Sequence, residues 1–378
     1  MSRRGVALIR GEDLNPFELQ AYEHVSARRP FVAVGRRNPG YEVGAIKVPV
    51  VLGQSLGAQR ITRGLARRVC GLVPTLNPSR LRDLPGLVGK ASILHAAELV
   101  LPVSEQAVAM AGPQHRVVLT CWETIPFRYD TDEVLSARKD AVMARTDRFI
   151  AVTKLAAVAL RAEGVAPELV RVVPAAIDTA RFRPGLDGAA VRTAWGVQPG
   201  ERVVLYVGRL IQEKGVLQLV RAVASLPATR LVLVGRGVEA HRVRHVAARL
   251  GMSDRIVLPG FVSYDELPAA YAAADVVAVP SLTTPYWEEQ FGMVLAEAMA
   301  CGRAVVTTRS GAIPEVVGEA AELVEPYDVP QLSAALGRVL DDADRRAELE
   351  RHARRRAEDV YAIDVVGAQL EAVYAELD

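Results

Sequence analysis

Long apolar runs, paired cysteines and an excess of charge of either sign are all missing from this 378-residue chain. No segment approaches the ~20 apolar residues of a membrane-spanning helix, so none of the chain reads as threaded through a bilayer. Arg3 and Arg4 are followed only by the short apolar run Val6 to Ile9, and no export signal is legible there. The three cysteines, Cys70, Cys121 and Cys301, lie far apart and lack C-x-x-C spacing. That excludes a sequence-evident zinc ribbon or redox pair and fits a reducing, cytoplasmic compartment. The 46 Lys+Arg and 44 Asp+Glu nearly cancel, so the charge balance points to no nucleic acid and to no strongly acidic partner. Low-complexity tracts and short-period repeats are absent as well.

What is present is length and rhythm. A chain of 378 residues exceeds the size at which single cores stop growing, so two domains of about 180 residues each are expected. Short β-rich runs alternate with helical patterns. In the first half they are Val6 to Ile9, Phe31 to Val34, Val48 to Leu52, Ser92 to Leu94, Val117 to Thr120 and Phe149 to Val152. A second series comprises Val203 to Val207, Leu231 to Val234, Ile256 to Leu258, Val276 to Val279 and Ala304 to Thr307. The pattern predicts two doubly wound α/β domains with parallel sheets. Their boundary is expected in Pro174 to Pro184, giving domains 1–180 and 181–359, with ligands in a crevice at the carboxyl ends of the strands. The apolar residues Val365, Val366, Leu370 and Val373 of the terminal segment 360–378 need a partner surface.

The densest chemistry lies in Glu289-Gln-Phe-Gly-Met-Val-Leu-Ala-Glu297, which reads as a loop entering a helix. Gly292 gives the backbone freedom to approach a ligand, and a helix beginning at Met293 aims free N–H groups at an anion. On a continuous helix the two acids would lie about 12 Å apart, a span suited to the two ends of one elongated polar ligand. The two carboxylates of a retaining glycosidase sit only about 5 Å apart, so direct hydrolysis by this pair is disfavoured. The plainer alternative has Glu289 capping the helix and Glu297 in a surface pair. Upstream, the strand Val203 to Val207 runs into Gly208-Arg209-Leu-Ile-Gln-Glu-Lys214-Gly215. Two cations and two glycines on one strand-to-helix loop suit a phosphate: Arg209 as a bidentate fork, Lys214 as a point charge. A solvated surface turn is the competing reading. Leu-Val-Leu-Val-Gly235-Arg-Gly237 lacks the third glycine of a dinucleotide loop, which disfavours an NAD-dependent dehydrogenase.

Taken in order, these residues resemble the retaining GT-B glycosyltransferases of family 4, the group 1 glycosyl transferases, which move a sugar from a nucleotide-sugar to an acceptor. Gly208-Arg209 with Glu213-Lys214-Gly215 resembles that family's diphosphate loop, and Pro259-Gly260-Phe261-Val262 its nucleobase-facing turn. Ala274-Asp275 to Pro280-Ser281 resembles the strand before the active-site loop. Glu289 to Glu297 resembles the E-x7-E signature, and Ser310-Gly311-Ala-Ile-Pro314-Glu315 the loop after it. The resemblance implies two Rossmann-like domains, a donor-binding C-terminal one and an acceptor-binding N-terminal one, with the 360–378 helix packing back on the first. It implies that Arg209 and Lys214 neutralise the diphosphate and that Glu289, with the amides around Gln290, Phe291, Gly292 and Met293, holds the donor sugar. Gly208 would complete the phosphate loop, Phe261 and Val262 would face the base, and Glu297 would hold the ribose diol. No metal or other cofactor is implied, since two fixed cations replace it and no D-x-D pair lies in a suitable loop.

The first half departs from the family's pattern. Where a Gly-Gly loop is common after the first strand, this chain has Gly11-Glu12-Asp13-Leu14-Asn15-Pro16, whose last pair also reads as a helix cap and first helical residue. Where His-Asp is common, it has Cys121-Trp122-Glu123, offering a ring to stack on a sugar and a carboxylate to accept from a hydroxyl. His95 and Glu98 are candidates for the same acceptor wall, against a structural histidine as the alternative. The acceptor itself is left open: a glycan, a lipid-linked molecule or a small molecule. Arg60, Arg63 and Arg67 share one face of a helical pattern, a candidate peripheral membrane contact or an ordinary half-buried helix. His241 and His245 sit four apart beside two arginines, which favours a solvated face over a metal grip. Two rival functions remain, a nucleotide-sugar epimerase of the same fold and a non-catalytic sugar-nucleotide-binding scaffold.

Overall fold

The computed structural model describes residues 3–37, 43–44, 46–55 and 80–378. Arg60, Arg63 and Arg67, with their candidate membrane face, lie outside the described residues, as does Cys70. The chain divides into two units, Met1–Ala176 with Ile363–Asp378, and Ile177–Ala362.

The first unit is built on seven strands: β1 (Val6–Gly11), β2 (Phe31–Arg36), β3 (Val50–Gly53), β4 (Ile93–Ala97), β5 (Arg116–Cys121), β6 (Arg148–Ala151) and β7 (Val170–Val172). They pair in parallel in the order β3-β2-β1-β4-β5-β6-β7. β1 and β4 are buried along their whole length. Alternate residues serve opposite faces, so Val6 and Leu8 join one core while Ala7 and Ile9 join another. A sheet covered on both faces needs strands that are apolar throughout, which is why these segments read as continuous hydrophobic runs.

The terminal helix Ile363–Ala375 finds its partner surface in this unit. Val366, Leu370, Val373 and Tyr374 share a core with Val6, Tyr22 and Val25. Arg29 fastens the end, donating to both Glu371 oxygens at 2.8 and 2.9 Å and to Asp378 at 3.1 Å. One local expectation is corrected here. Asn15 accepts from the Glu18 amide at 2.8 Å, but this caps a turn, and the helix that follows is only Tyr22–Ser26.

The second unit has six strands: β8 (Arg202–Val207), β9 (Thr229–Val234), β10 (Ile256–Gly260), β11 (Val276–Val279), β12 (Val305–Thr308) and β13 (Ala321–Val324). All pair in parallel, in the order β10-β9-β8-β11-β12-β13. The chain winds outward from β8 through β9 and β10, then returns to the other side of β8 with β11. The crevice of such a sheet opens where the winding reverses, at the carboxyl ends of β8 and β11. The corresponding point in the first sheet lies between β1 and β4. Among the described residues, no helix is long and apolar enough to cross a membrane.

Candidate functional site

The reversal point of the second sheet is where the cationic loop and the acid loop meet. After β8 the chain turns at Gly208 and Arg209, and the buried Tyr206 beneath donates its phenol hydrogen to the Arg209 carbonyl at 2.7 Å. The far end of the loop is tied to the segment after β11, because the Leu282 amide donates to the Glu213 carbonyl at 2.8 Å. Gly215 is left-handed at φ 66°, and a Cβ there would overlap the Pro280 carbonyl oxygen, so the approach requires glycine.

This tie brings Lys214 onto Glu289. The ammonium lies 2.6 Å from Glu289 Oε2 and 5.1 Å from the centre of the Trp287 ring, and the hydroxyl of Ser281 donates to the same oxygen at 2.7 Å. The two charged side chains are only 17% and 8% exposed. A pair so far out of water is held by geometry and extra hydrogen bonds rather than by Coulomb energy alone. The loop after β12 grips Glu289 from behind: the Ala312 amide donates to its carbonyl at 2.8 Å, and its amide donates to Ser310 Oγ at 3.4 Å. Gly311 passes so close, at φ 52°, that a Cβ would overlap the Glu289 carbonyl. Arg209, by contrast, is exposed and makes no ion pair with the described residues, so its guanidinium is open to a ligand.

Helix Met293–Ala300 begins at Gly292, left-handed at φ 79°, with no side chain capping it. Its first amides therefore receive no cap from Gly292, at an end that favours anions. Gln290, Gly292 and Met293 are half-buried there, as is Gly208 in the opposite loop. Phe291 is buried against Tyr361, ring centres 5.5 Å apart, so its side chain anchors the loop and only its main chain is offered to a ligand. Phe261, just past β10, is 66% exposed and Val262 beside it is half-buried.

Glu297 differs from Glu289. It is buried on the helix and accepts from the Tyr271 hydroxyl at 2.6 Å. Burial pushes its carboxyl up to about 7, only partly countered by the Tyr271 hydrogen bond. Lys214, Glu289 and the Arg209 loop are thus brought together, while Glu297 is held by a separate partner one helical segment away.

In the first unit the acceptor-wall residues have other commitments. His95 is fully buried on β4, its ring nitrogens 2.6 Å from the Tyr374 hydroxyl and 2.7 Å from Thr120 Oγ1. Burial and the nearby Arg10 charge hold its pKa well below the usual histidine range. The wall expectation for His95 is therefore corrected to a neutral core histidine. Glu123 accepts from the Thr124 and Ile125 amides at 3.1 Å each, from Arg128 at 2.8 Å and from Tyr129 at 3.2 Å. Its carboxylate orders its own loop. Glu98, left-handed at φ 60°, accepts from the Trp122 amide at 2.8 Å, and burial pushes its carboxyl up to about 7. Trp122 lines a small cavity with Glu18, Thr120 and Leu370. Gly11 is buried at the end of β1 with φ 59°, and Glu12 pairs with Arg36 at 3.1 Å.

With this geometry in view, residues 189–356 match the family model described as glycosyl transferases group 1. That segment belongs to the family. Arg209, Lys214, Glu289 and Glu297 all fall inside it, whereas Gly11, Glu12, His95, Glu98, Trp122 and Glu123 fall outside. Among curated proteins, the chain is 40% identical over 205 residues to a D-inositol 3-phosphate glycosyltransferase of Acidothermus cellulolyticus, covering 50% of this chain and 44% of that one. It is 38% identical over 216 residues to an MMP alpha-(1->4)-mannosyltransferase of Mycolicibacterium hassiacum, covering 56% and 49%. The chain thus spans about half the length of the curated relatives it matches. Solved structures resemble it throughout. HepE of Anabaena, in complex with UDP and glucose, superposes with a TM-score of 0.80 at 20% identity over 98% of this chain and 99% of that one. Sucrose-phosphate synthase from Thermosynechococcus elongatus does so with 0.78 at 23% identity over 99% of both. These likenesses show the fold, a GT-B pair of Rossmann-like domains.

Within the group 1 segment, four contributors escape the sequence reading. Ser281 and Ser310 sit in motifs that the sequence singles out, yet nothing local shows that their hydroxyls hold Glu289. Tyr206 looks like one more β-strand apolar residue, and Tyr271 like one face of a helix. Each acquires its role only from a partner in another loop.

Proposed function

We propose that the chain is a retaining glycosyltransferase that moves a sugar from a nucleoside-diphosphate sugar to an acceptor hydroxyl without a metal ion. The observation that supports it is the Lys214–Glu289–Ser281 cluster at the reversal point of a group 1 segment, with Arg209, which has no ion pair among the described residues, beside it. The diphosphate enters against the Arg209 loop, and Lys214 exchanges the Glu289 carboxylate for a phosphate oxygen. Glu289 is then free to accept from the donor sugar's hydroxyls, with the first amides of helix Met293–Ala300 nearby. Phe261 presents a face to the base, and Glu297 accepts from the ribose diol.

In the reaction, the bond from the sugar's anomeric carbon to the diphosphate breaks and a bond from the acceptor oxygen forms on the same face. The acceptor proton passes to a phosphate oxygen of the departing group, so no dedicated protein base is required. Negative charge grows on the diphosphate as the bond lengthens. Arg209 and Lys214 therefore stabilise the transition state more than the bound donor, which is the condition for catalysis. The relatives named for D-inositol 3-phosphate and for MMP, and the structure solved with UDP, support a nucleotide-sugar donor and a hydroxyl acceptor.

The test is Glu289→Gln. Sugar transfer should fall roughly a hundredfold or more, as expected for loss of one preorganised polar contact, while affinity for the nucleoside diphosphate stays within a few-fold. Unchanged turnover refutes the role. Conversion of the sugar-nucleotide without acceptor would instead identify an epimerase, and binding with neither reaction a scaffold.

A further inference from the structure

The loops that follow β11 and β13 carry three aromatic side chains, of which only Trp287 touches a donor-site residue, Lys214. Tyr286 is 78% exposed, Tyr327 is 54% exposed, and Trp287 is half-buried. The Trp287 and Tyr327 rings are held in place, and Tyr286 stands on the turn between Thr284 and Trp287. Thr284 and Trp287 exchange two backbone hydrogen bonds, at 2.8 and 3.3 Å, and the Trp287 ring lies beside the Lys214 ammonium. Tyr327 sits in the left-handed region at φ 68°, a conformation disfavoured for a bulky side chain, and its phenol donates to the Thr283 carbonyl at 2.9 Å. Thr283 Oγ1 in turn donates to Ser310 Oγ at 2.9 Å, and Ser310 Oγ accepts from the Glu289 amide. Three hydrogen bonds therefore connect the Tyr327 ring to Glu289.

The flanks of this rim are polar. Arg309 and Glu325 form an exposed pair at 3.3 Å, and Thr283 is exposed. Rigid aromatic faces accept the C–H face of a pyranose, and a charged fork beside them satisfies its hydroxyls. An acyl chain would instead want aliphatic neighbours.

We propose that Tyr286, Trp287 and Tyr327 form a stacking subsite for a pyranose ring of the acceptor, so that the acceptor is itself a saccharide or glycoside. The subsite rests on the glycosyltransferase reading above and adds the acceptor's chemical class to it. The experiment uses the full chain, titrated with the methyl glycosides of glucose, mannose and galactose and observed by saturation-transfer NMR, with UDP, GDP, ADP and dTDP titrated separately. At least one methyl glycoside should receive saturation on its ring C–H protons. Its affinity should fall about tenfold in Tyr286→Ala and in Tyr327→Ala, in keeping with the loss of one stacked ring, with nucleotide affinity unchanged. Binding of no methyl glycoside, or equal binding by the variants, overturns the subsite. So does a concentration-dependent dimer that Tyr286→Ala dissolves, because the rim would then be covered by a second copy. Failure of all four nucleotides refutes the donor site instead, and the methyl-glycoside titration still decides the rim.

Discussion

Glu297→Gln makes a quantitative demand on the buried carboxyl beside Tyr271. In the folded chain this group titrates at about 7 instead of the ordinary 4.5, because burial penalises the charge. A carboxyl whose folded pKa is raised is protonated in the fold over a range where the unfolded chain has already released its proton. Its contribution is therefore neutral below about pH 4.5. It becomes progressively unfavourable as pH rises toward 7 and reaches its full cost above that. At roughly 1.4 kcal/mol per pH unit, the displacement from 4.5 to about 7 is worth about 3 kcal/mol. Glutamine keeps the shape and an acceptor for Tyr271 but cannot ionise. The stability difference, variant minus parent, should be near zero at pH 4 and favour the variant by about 2–3 kcal/mol at pH 8. Denaturant unfolding of both proteins across that range measures it, and the subtraction cancels every other titrating group. A difference that does not change with pH, or a variant less stable at pH 8, would mean that Glu297 is hydrated and ionised in the fold.

The same carboxyl links binding to protons. If the ribose diol donates to Glu297, nucleotide binding at pH 7 should release up to about half a proton, detected as calorimetric enthalpies that change with buffer ionisation heat; no buffer dependence refutes the contact. Lys214→Met strands Glu289 in a buried setting. It should destabilise by about 3–5 kcal/mol in thermal or denaturant unfolding and lower turnover by roughly a hundredfold or more. His95→Ala should cost about 2–4 kcal/mol of stability, since it empties a core site and unpairs Tyr374 and Thr120, while acceptor KM at a temperature where the variant is folded stays unchanged. Gly311→Ala forces a Cβ onto the Glu289 carbonyl from a left-handed backbone; transfer should be lost with stability lowered by about 1–3 kcal/mol, and full activity would show that the loop is not braced this way.

The alternation of short apolar runs with helical patterns was enough to read two parallel α/β sheets. Strands buried on both faces must be apolar throughout, and that requirement is written locally. β13 escaped because Ala321-Glu-Leu-Val324 is short and carries an acid, so only pairing with β12 reveals it. Motif order was equally legible: the cationic turn, the Glu289–Glu297 run and the Ser310 loop stand in the sequence as the structure uses them. Burial was harder. His95 is a wall candidate from its place by a strand end, and Glu123 from standing where the resembled family commonly has His-Asp. Nothing nearby in the sequence announces that Tyr374, 279 positions from His95, will close over its ring.

The sequence by itself thus determined which segments become strands and which loop chemistries follow them, because period and turn composition act over a few residues. Tertiary structure alone decided who meets whom. Lys214 reaches Glu289 across 75 positions, Tyr271 takes Glu297 across 26, and the terminal helix closes over β1. Those pairings depend on how the chain winds outward from β8 and returns beside it, and on which side chains the sheet then shuts away from water.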